Sequence, residues 1–160
     1  MAAPKIATLL VGYSPVAKID SAALATLIGG AIGESIKKFD WETCCIRLSR
    51  ALNYTGYPVQ AFGNIDVPIN NWKVRAQAGG DKKWYIYGTA DIKAYLNVKF
   101  GQPTVYPGSY TETDLKGKPG IIMFGWRHVD LWDGTAVARL SLFNSAHTLK
   151  DGLYLWPETK

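Results

Sequence analysis

Cys44 is the residue best placed by its surroundings to act as a nucleophile. It stands in the first turn of a stretch that reads as a helix. The unpaired backbone N–H groups and the positive dipole end found there favour a thiolate. The same N–H groups can hold an oxyanion. Its neighbour Cys45 falls on the apolar stripe Cys45, Leu48, Leu52 and is expected to pack in the core. A thiol nucleophile needs a base, and of two histidines His128 is the better candidate because it sits mid-strand beside a turn. His147 lies in a polar stretch and reads as surface. A base needs a group on its second ring nitrogen. Asp130 is two residues on, on the same strand face. It reads equally as the partner of His128 or as a solvated carboxylate paired with Arg139. A two-residue turn at Asp133-Gly134 places Arg139 across from His128, whereas a longer loop places Ser141 there. The chemistry is acyl transfer through a thioester, with no metal or cofactor.

These residues must be carried by particular elements. Phe39 to Asn53 predicts a helix from about Thr43 to Leu52, with Asp40, Glu42 and Thr43 at its start. Upstream, the apolar positions between Ala22 and Ile36 recur at helical spacing, with Asp20 or Ser21 as cap. Gly29-Gly30 predicts a break there. Residues 56–82 and 101–119 read as long Gly/Pro-rich loops. They are candidate groove walls, with Trp72, Tyr106 and Tyr110 as lining. Lys83 to Tyr87 reads as a strand, and Ala90 to about Lys99 as a helix ended by Gly101. Gly120–Phe124 and Arg127–Trp132 read as strands, with Ala136–Phe143 returning as the partner of the second and Gly152–Trp156 closing the chain. Helices first, then a mostly antiparallel sheet, make an α+β fold.

The 160 residues favour one domain, 1–160. No apolar run reaches the roughly 18 residues of a membrane span, so no membrane insertion is expected. The N-terminal stretch lacks a basic leader and a clear cleavage site, so secretion without a cleaved signal is expected. The net charge of +5 suits a polyanionic partner. No basic block or RNA-binding aromatic motif points to nucleic acid. The only cysteines are adjacent, which excludes a disulfide framework, and with two histidines they make no zinc spacing.

Thr43-Cys44-Cys45-Ile46-Arg47-Leu48-Ser49, continued by Ala51-Leu52-Asn53, resembles the nucleophile segment of the type VI secretion amidase effectors of the fourth family. Leu27-Ile28-Gly29-Gly30 is similar to that family's N-terminal element, Lys83–Tyr87 to its central strand, and Gly120-Ile121-Ile122 with His128–Gly134 to its histidine hairpin. The resemblance implies a papain-like, NlpC-type cysteine peptidase fold. It implies hydrolysis of the γ-D-glutamyl–meso-diaminopimelate bond of peptidoglycan. It also implies manufacture in a producer cytoplasm, export by the type VI secretion apparatus, action in a rival's periplasm, and a cognate immunity protein. By position Cys44 takes the nucleophile role and His128 the base role. Two departures stand out. Members carry an acidic residue eleven positions after the histidine, where this chain has Arg139, and some carry a later cysteine pair that is missing here. The competing readings are a housekeeping or phage-type wall hydrolase, and an inactive basic wall-binding module.

Overall fold

The structure, a computed structural model, describes residues 2–60 and 73–160. The chain divides into two compact units. One is Val11–Tyr95, and the other is Leu96–Lys160 together with the residues up to Leu10.

In the first unit, helix α2 (Ser21–Ile28) is capped by Asp20, whose carboxylate accepts the Ala23 N–H at 2.7 Å. The expected break follows, with Gly29 and Gly30 both at φ +63°. Helix α3 (Gly30–Phe39) follows. Gly30 is required twice over. Its φ suits glycine, and a Cβ there would lie 2.5 Å from the Gly79 carbonyl carbon. Leu24 and Ile28 of α2 and Ile32 and Ile36 of α3 form one buried cluster with Val16, Ile46 and Tyr85.

Helix α4 (Cys44–Asn53) carries the proposed nucleophile and is buried along nearly its whole length. Its apolar residues explain only part of that burial. Arg47, 1 % exposed, donates to the Thr43 hydroxyl at 2.9 Å and to the carbonyls of Val16 and Ile19. The Ser49 hydroxyl bonds the Cys45 carbonyl at 2.8 Å and accepts the Ile86 N–H at 3.0 Å. The Asn53 amide donates to the Trp84 carbonyl at 2.8 Å. Ser49 and Asn53 thus bind α4 to strand β2 (Trp84–Ile86), which pairs antiparallel with β1 (Ala76–Ala78). β1 falls inside the span 56–82 that reads as loop, and residues 61–72 of that span, Trp72 included, lie outside the described residues.

The second unit is built on an antiparallel sheet in the order β3 (Thr104–Tyr106), β6 (Leu153–Pro157), β4 (Gly120–Phe124), β5 (His128–Trp132). β4 and β5 are buried throughout and pair as a hairpin, with Phe124 opposite His128 and Ile122 opposite Asp130. Gly125, at φ +55°, begins the reversal. The core gathers Leu115, Ile122, Phe124, Trp132, Leu153 and Leu155, with Tyr106 and Tyr110 packed against it. Those two rings lie 5.5 Å apart, so they brace this core as well as bordering the 101–119 connection. β3 lies within that connection, in a stretch that reads as loop.

The strand expected over Ala136–Phe143 is corrected. Residues 136–143 make one isolated bridge, Trp132 to Val137, two residues out of the register that pairs Trp132 with Thr135. The cause is local. The Asp133 carboxylate accepts the N–H groups of Thr135 and Ala136, each at 2.7 Å, and widens the turn. Beyond Ala138, the Leu140 N–H leaves the ladder for the Asp130 carboxylate at 2.8 Å. Arg139 is therefore not the cross-strand neighbour of His128. Ser141 donates its hydroxyl to Glu112 at 3.3 Å and is engaged elsewhere. After this segment comes helix α6 (Ala146–Asp151), capped by Ser145, with His147 exposed on it.

Two further helices complete the chain. Helix α1 (Ile6–Ala17) has no counterpart in the sequence reading and contains Pro15. Helix α5 (Thr89–Phe100) spans one residue more at each end than the sequence predicts.

Candidate active site

Cys44 is the first residue of α4, after Thr43 at the cap position. The first intrahelical bond is donated by Arg47, to the Thr43 carbonyl at 2.9 Å. By helix geometry the N–H groups of Cys44, Cys45 and Ile46 point out of the N-terminus, where the dipole favours negative charge. Thr43 accepts from Arg47, so its side chain does not close that end. Cys44 and Cys45 are 0 % and 1 % exposed, and their sulfurs lie 3.9 Å apart. The Cys45 thiol is held well above the ordinary thiol range. The hydrogen bond with Cys44 is the largest cause, followed by burial and then by the charges of Cys44, Asp91 and Glu42.

The connection into α4 is fixed by stacked rings. Trp41 lies 4.4 Å from Tyr87 and 5.6 Å from Phe39, nearly parallel to both. Asp40 takes the left-handed conformation that ends α3. Asp91, fully buried in the first turn of α5, is paired with Arg75 at 2.9 Å.

In the second unit, His128 and Asp130 project from the same side of β5, as alternate strand residues do. His128 Nε2 lies 2.7 Å from Asp130 Oδ2, with the residues 2 % and 0 % exposed. The same carboxylate accepts the Leu131 N–H through Oδ1 and the Leu140 N–H through Oδ2, both at 2.8 Å. Asp130 is therefore locked in place before it meets the ring. The Phe124 ring lies 6.0 Å from the His128 ring and nearly parallel to it, covering one face. Sequence reasoning had no signal for the Leu140 N–H or for the Phe124 stack. Both depend on tertiary register. The arrangement places Nε2 against Asp130.

Among the described residues, no group of three or more His, Cys, Asp or Glu side chains is arranged to hold a metal ion, and no helix is long and apolar enough to cross a membrane.

The family described as Type VI secretion system (T6SS), amidase effector protein 4 (Tae4) matches residues 41–156, a span that includes Cys44, His128 and Asp130. Among curated proteins there is no match. Among solved structures, the chain is similar to the effector Tae4 from Enterobacter cloacae, with 25% identity and a TM-score of 0.80 over 99% of this chain and 100% of the other. It is similar to Tae4 from Salmonella typhimurium, solved in complex with the immunity Tai4 from Enterobacter cloacae, with 26% identity and a TM-score of 0.78 over 98% and 99%. A Tae4–Tai4 effector–immunity complex from Salmonella Typhimurium matches at 27% identity and a TM-score of 0.75 over 98% and 99%. The α+β, papain-like and NlpC-type fold implied by the sequence is the fold this chain shares with them.

Proposed function

This chain belongs to the type VI secretion system amidase effector protein 4 family, and on that premise we propose that it is a cysteine-dependent amidase cutting the γ-D-glutamyl–meso-diaminopimelate bond of peptidoglycan stems. The observation that carries the reading is the buried His128–Asp130 contact at 2.7 Å. A general base must pass between neutral and cationic forms without losing its orientation. A fixed carboxylate on its far nitrogen provides for both.

In this mechanism His128 Nδ1 accepts the Cys44 proton, and the thiolate adds to the amide carbonyl carbon. The oxyanion is held by N–H groups at the start of α4. The C–N bond then breaks as His128 returns the proton to the leaving amine. Water, deprotonated by the same ring, releases the thioester. Asp130 holds Nε2–H throughout and balances the imidazolium. The chemistry requires the Cys44 sulfur and His128 Nδ1 to come within hydrogen-bond reach during turnover. Residues 1–160 act as one amidase domain in this reading.

The biological setting follows from the family. The protein is made in a producer cell's cytoplasm and exported by the type VI apparatus. It acts in the periplasm of the target cell and is restrained in kin by an immunity protein, as Tae4 is bound by Tai4 in the similar complexes. The net charge of +5 favours residence on anionic wall polymer.

The test is digestion of purified diaminopimelate-type peptidoglycan by wild type and Cys44→Ala, with fragments read by mass spectrometry. Wild type alone should convert intact stems into products divided between D-glutamate and diaminopimelate. Intact stems after treatment with folded wild type would overturn the reading and leave a wall-binding module.

A further inference from the structure

We infer that Cys45 is a positioning residue for the nucleophile: from 3.9 Å away its thiol donates S–H to the Cys44 sulfur and steadies the thiolate formed there. This rests on the reading of Cys44 as nucleophile.

Neighbouring residues on a helix point about 100° apart and do not normally face one another. Here the two sulfurs have turned together inside the protein, at 0 % and 1 % exposure. Filling space in the core would be served as well by alanine or valine. What a thiol adds at this position is a small donor with little bulk. The charged groups that act on Cys45 favour its keeping the S–H. Glu42 lies just before α4, and Asp91 stands on α5 with Arg75 bound to it. Both carboxylates oppose ionisation of Cys45, and so does the charge of Cys44. In the proposal the negative charge sits on Cys44, and Cys45 keeps its proton. Closure to a disulfide is disfavoured, because the small ring joining adjacent cysteines would break the first turn of α4. A thiolate facing a retained S–H gains a charge-assisted hydrogen bond away from water, where such bonds count most. It also loses rotational freedom before attack.

The test compares wild type, Cys45→Ala, Cys45→Val, Cys45→Ser and Cys44→Ala. Two readouts are taken: iodoacetamide labelling of Cys44 against pH, located by peptide mass, and kcat with KM on stem peptide. Cys45→Ala and Cys45→Val both lack a donor, and Val also fills the space. In both, the labelling midpoint should move to higher pH and kcat at neutral pH should fall about threefold to tenfold, with KM unchanged. Cys45→Ser keeps a donor and should return toward wild type in both readouts. Wild-type profiles in whichever of the Ala and Val variants fold, or an equal shift in the Ser variant, would overturn the inference. Loss of activity in Cys44→Ala with unshifted Cys45 variants removes only this inference. Full activity in Cys44→Ala removes the nucleophile reading with it.

Discussion

Asp130 Oδ2 lies 2.7 Å from His128 Nε2 while the Leu140 N–H reaches the same oxygen at 2.8 Å. One carboxylate oxygen thus joins the histidine strand to the segment that returns after the Asp133 turn. The contact also changes the meaning of Arg139. The family's acidic position is occupied by an arginine, and the carboxylate in contact with the histidine ring stands two residues after it on the same strand.

Asp130→Asn should therefore keep the fold and lose the chemistry. An amide has a single acceptor oxygen, so it keeps only one of the Leu131 and Leu140 N–H bonds that the carboxylate takes on separate oxygens, and it neither fixes the Nε2–H tautomer nor balances an imidazolium. A fall in kcat of about 10²- to 10⁴-fold with little change in KM is expected. Steady-state kinetics on stem peptide, with circular dichroism as the folding control, read this directly. Wild-type kcat would assign Asp130 a structural role only.

Gly30 and Gly117 should respond very differently to alanine. Both have positive φ, +63° and +76°. A Cβ on Gly30 would meet the Gly79–Gly80 backbone at 2.5 and 2.6 Å, while one on Gly117 meets nothing within 4 Å among the described residues. Gly117→Ala should cost about 1–2 kcal/mol, from backbone strain alone. Gly30→Ala adds a clash with rigid backbone and should cost about 2–5 kcal/mol. Urea unfolding of the two variants tests this, and equal losses would count against the packing described for the α2–α3 break.

Alkaline pH should unfold the protein in a way traceable to buried tyrosines. Tyr95 is pushed up to about 12 by burial. Tyr85 is raised further, by burial and by donating to Asp81 at 2.6 Å. In the unfolded chain both titrate near 10. Their contribution is therefore complete below pH ~10 and is lost as pH rises towards the folded values, because the unfolded state gives up protons first. Unfolding free energy measured at pH 9, 10 and 11 should fall, and Tyr95→Phe should flatten that fall. An identical slope in the variant would contradict the burial assigned to Tyr95.

The parts that were legible in the sequence are those where one local signal decides the structure. The Cys45, Leu48, Leu52 stripe marks α4, and the glycine pair marks the α2–α3 break. The apolar run Gly120–Phe124 marks β4. Helix α1 was hidden by Gly12 and Pro15, both poor inside helices. It stands because Leu9, Tyr13 and Val16 are fully buried, and because Gly12 passes so close to Ala51 that a Cβ would lie 3.0 Å from its carbonyl. The Ala136–Phe143 segment misled for the opposite reason. Its alternation fits a strand, but Asp130 and Asp133 take the N–H groups that a ladder would use. Side chains capturing backbone donors across a turn leave no periodic trace. The same holds for Leu140 on Asp130, the contact that fixes the candidate base.

The most direct test of the central claim is to look for the covalent intermediate. Wild type and Cys44→Ala are mixed with a γ-D-glutamyl-diaminopimelyl stem peptide, quenched in acid within the first turnovers, digested and read by mass spectrometry. The account predicts an acyl adduct on the wild-type peptide containing Cys44, and neither adduct nor turnover in Cys44→Ala. Turnover by Cys44→Ala at the wild-type rate, with no adduct on either protein, would contradict it.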